Sequence, residues 1–529
     1  MYHIDSKTDK PDIEYLYNEA KRAAKRGIRL NNISDLMSRF VQLRDELYAD
    51  FAAKYGVLNP NSSQQLTRFI QGMSNKALEV GDSTIYEACY VGGKWTTNKE
   101  AMTKLSEIGY EFATDLLIYR TAKKYAETLV SMSKFADKDG LVKPDVDLGK
   151  TNRVQYKNPG LLTIPKRMLW NTIAPFNEGD KLYSVDIKNQ EPSILINMLG
   201  NDELKGALEH DGGLYEYLFR RIYKPKTKLT IMVHQLDVTP RIIPNSEMSV
   251  CDNIPPAMYS PIRPQSKMVK FGGKQVKLIN VCTTLAKIGG KVILPDEVEI
   301  LLEDNTVEKV PVIWNNVKDS YKKAGLYEVD GDLQGLTVEC LPDERADFKR
   351  GWLALSYGAQ LPGLREMCKE INPDVLYNYC SNIKEFQEYR KYCGKLTREN
   401  KQVVKTYFGT AVRANEYDSS SRLKRILMDL PIQGTGADIL SLLMKHFNEV
   451  VNNQGLSDKL WIYFTRHDEL VVEVAKEWFD EVGEGYVEAF LKDCLEHQID
   501  DWTPFKVEIG QVKETDGVEL LLESMREEE

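Results

Sequence analysis

Two helical-looking parts of this chain are separated by a stretch that can continue neither of them. Residues 224–291 hold 11 Lys/Arg against 3 Asp/Glu, with seven prolines between 225 and 264. Proline lacks a backbone N–H and its ring clashes with the preceding turn, so no helix runs through such a segment. Residues 292–342 reverse the charge, with 4 Lys/Arg against 11 Asp/Glu, and VILPDEVEILLEDNTVEKVPVIW alternates as strands do. Before this stretch, residues 11–50 read as helices: EYLYNEAKRAAKRG is amphipathic and Gly27 is a stop signal. Helical patterning recurs from 100 to 135 and again from 343 onward. The pattern predicts a mostly helical framework carrying an insertion over 224–342.

At 529 residues the chain has room for several domains and large cores. Its 42% hydrophobic and 28% charged content is ordinary for a soluble globular protein. It has no apolar run of membrane-spanning length, and its start, MYHIDSKTDKPDIEYL, is too polar for a signal peptide. Eight cysteines without CxxC pairs fit reduced thiols of a cytoplasmic protein better than a disulfide framework or a zinc site. The net charge of −9 does not advertise nucleic-acid binding, but a whole-chain sum hides local basic surfaces.

Four segments carry chemistry. In KLYSVDI (181–187) the alternation makes a strand with Asp186 at its end, and Gln190-Glu191-Pro192 then opens a helix. A carboxylate there can hold a cation or simply cap the helix. In RADFKRGWLALSYG (345–358), Arg345, Lys349, Leu353 and Tyr357 are four apart and share a helix face. That stripe suits a polyphosphate and a base, or is a solvated basic turn leading into core residues. In PIQGTGADIL (431–440), small residues open a helix with apolar positions 440, 443 and 447, ending at Asn452 to Gly455. Gly434 and Gly436 suggest close backbone approach. Last, YFTRHDELVVEV (463–474) reads as a hairpin with an Arg, a His and two carboxylates at its tip. If its neighbour is the strand ending at Asp186, carboxylates distant in sequence converge, and two divalent ions about 4 Å apart could run an in-line phosphoryl displacement there.

In this order, VDIKNQE, RADFKRGWLALSYG, PIQGTGADI and RHDELVVE resemble the motifs of the family A DNA polymerases, the bacterial polymerase I type. Thr151-Asn152-Arg153, Asn158-Pro159, Ile164-Pro165, YGVLNPNSSQQL (55–66), YRTAKKY (119–125), VVKTYFGTAVR (403–413) and VEIG (507–510) resemble further family segments. The resemblance implies an α+β right-hand polymerase fold with an antiparallel palm sheet and an inserted β-rich module. Its parts would be a helical thumb (1–145), palm (146–223), basic Pro-rich insertion (224–284), immunoglobulin-like insertion (285–342), fingers (343–420), and second palm part with the C-terminus (421–529). It implies that Asp186 and Asp468, with the carbonyl of Ile187, bind two Mg²⁺ ions, for which Mn²⁺ can substitute. Glu469 would support that site. Arg345 and Lys349 would hold the triphosphate, Tyr357 and Leu353 would lie at the base-pair site, and Glu191 would exclude a ribose 2′-hydroxyl. Tyr215 would contact substrate where the family often has His. Arg153, Gln433, His467, Thr406 and Arg413 would touch primer–template DNA, and dNTPs would be the substrates.

Some positions depart from the family pattern. It usually has an aromatic at Leu353, Tyr at Ile187, Arg at Ser193 and a small or apolar residue at Arg466. Asp12-Ile13-Glu14 has the DxE look of an exonuclease motif, or is a helix start favouring acids. No proofreading exonuclease or 5′-nuclease is expected in this chain. Residues 285–340, with LPDEVEI, VPVIW and GLYEVDG, resemble a bacterial immunoglobulin-like domain. The basic half before it is expected either to contact the DNA backbone or to be a solvated linker. Residues 224–342 are a candidate dock for a processivity factor or a separate exonuclease subunit.

The expectation is a DNA polymerase without proofreading, of the kind a phage or mobile element uses, acting in the cytoplasm with no membrane partner. The rivals are a single-subunit RNA polymerase or reverse transcriptase, and a catalytically silent DNA-binding subunit.

Overall fold

The computed structural model describes residues 1–512 apart from 32, 58, 164–165, 211–212, 236–241, 245–263, 265–267, 316, 400–402 and 415–419. Ile164-Pro165, Cys251 and four of the seven insertion prolines lie outside the described residues. The chain divides into two compact units. One comprises Met1–Gln190, Lys405–Val412 and Gln433–Glu529, the other Glu191–Val404 and Arg413–Ile432.

The first unit is organised by a four-stranded antiparallel sheet in the order Leu460–Arg466, Glu469–Val474, Lys181–Ile187, Val507–Gln511. All six residues of Glu469–Val474 are buried, which is why ELVVEV carries an apolar run rather than a simple alternation. The amphipathic helix Ile13–Arg26 ends at Gly27, with φ 99°, as its sequence predicts. Asp12 caps it by accepting from the Tyr15 N–H at 2.9 Å, so the DxE acid is a helix cap. The Arg26 guanidinium lies over the Trp461 ring at 4.0 Å, tying this helix to the sheet. The strand Tyr2–Ile4 pairs in parallel with His497–Ile499. Residues 1–30 therefore join the sheet region, and the helical region expected over 1–145 begins only after them. That region is built on two long helices, Ile33–Tyr55 and Glu111–Ser133, with Phe51, Leu66, Ile70, Met102, Leu105, Phe112 and Leu116 in its core.

PIQGTGADI does not open a helix. It lies inside one, Ser420–Asn453, with Pro431 in the helix interior. Proline removes a hydrogen bond there, but Gly434 and Gly436 let the helix seat against its neighbours. A Cβ on Gly434 would stand 2.8 Å from Thr406 Cγ2, and one on Gly436 would stand 2.6 Å from Gln190 Oε1. Close packing outweighs the local breaker signals. The helix stops as expected, with Gly455 at φ 69°. Residues Arg422–Asn453 are long and apolar enough to cross a membrane, but 83% of the most apolar window is buried inside the protein, as in a core helix.

In the second unit, helices Leu214–Ile222 and Pro342–Ser356 flank the insertion, which forms a nine-stranded sheet. Lys226–His234 is an interior strand, antiparallel to Gly325–Leu333 and parallel to Cys282–Lys287. The described strands of the basic half, Lys226–His234, Ile242–Pro244, Val269–Phe271, Lys274–Ile279 and Cys282–Lys287, therefore join those of the acidic half in one sheet. Lys226 stands opposite Asp332, Lys228 opposite Asp330 and Thr230 opposite Glu328. Lys274 pairs with Asp304 at 2.5 Å and Lys270 with Glu339 at 2.9 Å. Lys228 lies 3.6 Å from Glu328 as well, so these three basic residues of the described strands have acidic partners.

Candidate active site

The sheet of the first unit brings the predicted acidic residues together. Asp186 pairs in register with Glu469, and the His467-Asp468 turn follows directly on that pair. His467 takes a φ of 56°, a backbone conformation that costs a non-glycine residue about 1 kcal/mol or more. Such strain is held in place by the strands on either side of the turn, which sets Asp468 at the end of the sheet. On its other side, Asp186 stands opposite Glu508 of the C-terminal strand. Asp186 and Asp468 are partly exposed, whereas Glu469 is buried. The Ser184 hydroxyl donates to Glu469 Oε1, and Arg466 Nη1 lies 3.6 Å from Oε2. Ile187 ends its strand, and Asn189 at φ 50° turns the chain into the helix Gln190–Leu199.

A cavity of about 740 Å³ is lined by Trp170, Ser184, Asp186, Lys188 and residues 507–512. Among the described residues no three acidic, His or Cys side chains form an all-protein metal cage. The donors present still suit Mg²⁺. That ion usually takes one or two carboxylates and completes its octahedron with water and substrate phosphate. In-register carboxylates also repel one another unless a cation intervenes.

Other predicted residues of this unit fare differently. Arg153 is half-buried at the hairpin turn joining Asp145–Leu148 to Val154–Lys157, its carbonyl accepting from Gly149 N–H at 2.8 Å. Gln433 is partly exposed on the long helix, and His467 is exposed. Thr406, expected at DNA, is buried instead. Its hydroxyl donates to Asp438, and its Oγ1 accepts from Thr410 N–H at 3.0 Å. Its side chain holds the 405–412 turn in place. Burial raises Asp438 to about 6, opposed by the hydroxyls of Thr406 and Thr410.

The second unit carries the cationic stripe. Arg345 and Lys349 are exposed on Pro342–Ser356, and Leu353 and Tyr357 are half-buried along the same face. The opposite face buries Phe348, Gly351, Trp352 and Leu355. Asp347 anchors it by accepting from the Lys369 and Glu370 N–H groups, each at 2.6 Å. The Tyr357 hydroxyl donates to Glu191 Oε2. Lys349 Nζ lies 5.7 Å from the centre of the buried Tyr215 ring. Burial pushes the Tyr215 hydroxyl well above its usual range, and the Glu191 charge adds to this while Arg345 opposes it. Glu191, Tyr215, Arg345, Lys349 and Tyr357 thus form one electrostatically coupled cluster. Arg413 is exposed at the end of Ala411–Arg413.

The sequence did not single out Ser184 or Glu508, and it marked Arg466 only as a departure from the family pattern, without a role. Ser184 shares a face with Asp186 by strand alternation, a signal that was available. Glu508 had none, since its place depends on which strand lies beside Asp186.

Residues 333–514 match DNA polymerase family A, and residues 278–336 match a bacterial Ig-like domain (group 4). The DNA polymerase I of Aquifex aeolicus is 31% identical over 156 residues, covering 28% of this chain and 26% of that protein. The DNA polymerase I of Caldicellulosiruptor bescii is 24% identical over 223 residues, covering 41% and 25%. The chain spans about a quarter of the length of these relatives. The polymerase domain of Pol1 from M. smegmatis, solved in complex with DNA primer-template and dNTP, superposes with a TM-score of 0.59 at 16% identity, covering 94% of this chain and 69% of that one. The chain carries a match to DNA polymerase family A over residues 333–514, preceded by a bacterial Ig-like match over 278–336, and shares its fold with a family polymerase domain.

Proposed function

We propose that this protein is a template-directed DNA polymerase that adds dNTPs to a primer 3′-hydroxyl, using two Mg²⁺ ions and without trimming mismatched ends. The observation that carries this reading is the register: the strand ending in Asp186–Ile187 is hydrogen-bonded to the strand that begins directly after Asp468. Asp186 and Asp468, with the Ile187 carbonyl, would hold the ions. When bound, the ions would lower the pKa of the attacking hydroxyl and offset charge growing at the α-phosphate.

The chain's own side chains would bind and orient. Arg345 and Lys349 supply point and forked cations for a triphosphate. Tyr357 and Leu353 continue their stripe with surface suited to a base. Glu191, fixed by the Tyr357 hydroxyl, would meet a ribose 2′-hydroxyl and select deoxynucleotides. Arg153, Gln433 and His467 would donate to primer–template, where the minor groove offers acceptors common to all base pairs. The fixed Glu191 carboxylate favours dNTPs over the NTPs of an RNA polymerase.

The test is primer extension with Mg²⁺, offering dNTPs or NTPs on DNA and RNA templates, with matched and 3′-mismatched labelled primers. Extension with dNTPs that disappears in Asp468→Ala, with no shortening of the mismatched primer, supports the reading. A folded, DNA-binding wild type that extends nothing replaces it with a silent DNA-binding subunit.

A further inference from the structure

The four-stranded sheet lines up more charge than two metal-binding aspartates require. Across it, the in-register residues are Arg466, Glu469, Asp186 and Glu508, and residues so paired project to one face. Three carboxylates therefore stand side by side at the strand spacing of about 4.8 Å, an arrangement that is unfavourable without cations. Lys188 closes one end, its Nζ 3.0 Å from Glu508 Oε1. Arg466 closes the other, 3.6 Å from Glu469 Oε2. With side chains only 16% and 2% exposed, the Arg466–Glu469 pair is weakly screened by solvent. The Ser184 hydroxyl holds the other oxygen of Glu469, so the protein itself engages both oxygens of that carboxylate.

We propose that Arg466 is a positioning residue that holds Glu469 off the catalytic ions and offsets one negative charge beside Asp186 and Asp468, thereby setting the site's metal affinity. The proposal rests on the polymerase reading of those two aspartates. Arg466 lies about two strand spacings, roughly 10 Å, from Asp186. Removing its charge at that range strengthens attraction for a divalent ion about five- to tenfold at an effective dielectric of about 50 to 70, nearer that of water than that of a dry interior. It also frees Glu469 to compete with substrate oxygens for coordination positions.

The experiment is a Mn²⁺ titration of the full chain, without DNA or nucleotide, followed by electron paramagnetic resonance of the free ion. A Mg²⁺ titration of primer extension accompanies it. Arg466→Met is expected to bind Mn²⁺ five- to tenfold more tightly, to lower kcat and to shift the Mg²⁺ optimum downward. Arg466→Lys stays within about twofold of wild type in Mn²⁺ affinity. The double variant Arg466→Met/Glu469→Gln, which removes one charge of each sign, returns to within about twofold. If Arg466→Met does not fold, Arg466→Gln carries the same expectation. Unchanged or weaker Mn²⁺ binding in a folded charge-removed variant overturns the proposal. Asp186→Ala and Asp468→Ala separate the two levels. If they leave Mn²⁺ binding intact, the metal-site reading fails. If they abolish it while Arg466→Met changes nothing, only the role of Arg466 fails.

Discussion

The sheet beneath Asp186 and the sheet of the insertion treat charge in opposite ways. In the insertion, cationic and acidic residues face each other across strands, as Lys226 faces Asp332 and Lys228 faces Asp330, and the charges stay at the surface. In the sheet of the first unit, Glu469, Asp186 and Glu508 sit in one row, with Lys188 and Arg466 at its ends. A sheet selected for stability alone pairs opposite charges; a row of like charges keeps its cost unless something binds it. On the proposed function, the difference separates the sheet that does the chemistry from the one that only stays folded. Among the described residues, the basic strand Lys226–His234 and the acidic strand Gly325–Leu333 are neighbours in the sheet of the insertion.

The strongest challenge to this comparison is to disable each sheet separately. Asp186→Asn should lower primer extension by at least roughly 10³-fold, the effect of losing several kcal/mol of transition-state stabilisation, with little change in Tm. Replacing residues 226–338 with a short Gly/Ser linker should leave extension within about tenfold of wild type on a short template. Loss of extension on that replacement would break the comparison, because the insertion would then take part in the chemistry.

A smaller effect separates the two kinds of ion pair. Glu469→Ala leaves the Arg466 guanidinium without its buried partner and should destabilise the protein by about 3 kcal/mol. Glu328→Ala, whose partner Lys228 is 3.6 Å away and half exposed, should cost less than about 1 kcal/mol. Calorimetry of the two variants reads both values.

Acid and base should also act on the two sheets in opposite directions. Burial raises Glu473 to about 7, although the Asn177 N–H, Arg26 and the Trp461 indole favour its charge. A carboxyl raised in the folded state contributes stability that is fully present below its unfolded pKa, near 4.5, and is lost as pH rises through about 7. That contribution is at most about 3 kcal/mol, and Glu473→Gln should flatten stability between pH 5 and 8. Lys274 and Thr306 hold Asp304 well below its ordinary value. Its contribution is present above the ordinary carboxylate range and lost as pH falls below it, and Asp304→Asn should remove that acid sensitivity. The smallest expected effect is that of Lys228→Ala: a Tm change under about 2 °C, consistent with an exposed pair.

Much of this was legible in the chain itself. Helical spacing located Ile13–Arg26 and the Arg345–Lys349–Leu353–Tyr357 stripe, and alternation located the strand ending near Asp186 and the 463–474 hairpin. Where the reading went astray, a local signal was overruled from a distance. Pro431 and the glycines look like a helix start, but packing against Thr406 and Gln190 carries the helix through. Thr406 looked like a DNA contact, but Asp438, 32 residues away, claims its hydroxyl.

The sequence by itself determined which elements form and which chemical groups they carry, because helical and strand periodicity are local properties of the side chains. Only the tertiary structure decided which charges stand side by side. Backbone hydrogen-bonding groups are the same at every residue, so nothing within either strand specifies that Glu469 should meet Ser184 from 285 residues away. Register is set when distant strands bury their apolar faces together. That event created the Arg466–Glu469–Asp186–Glu508 row.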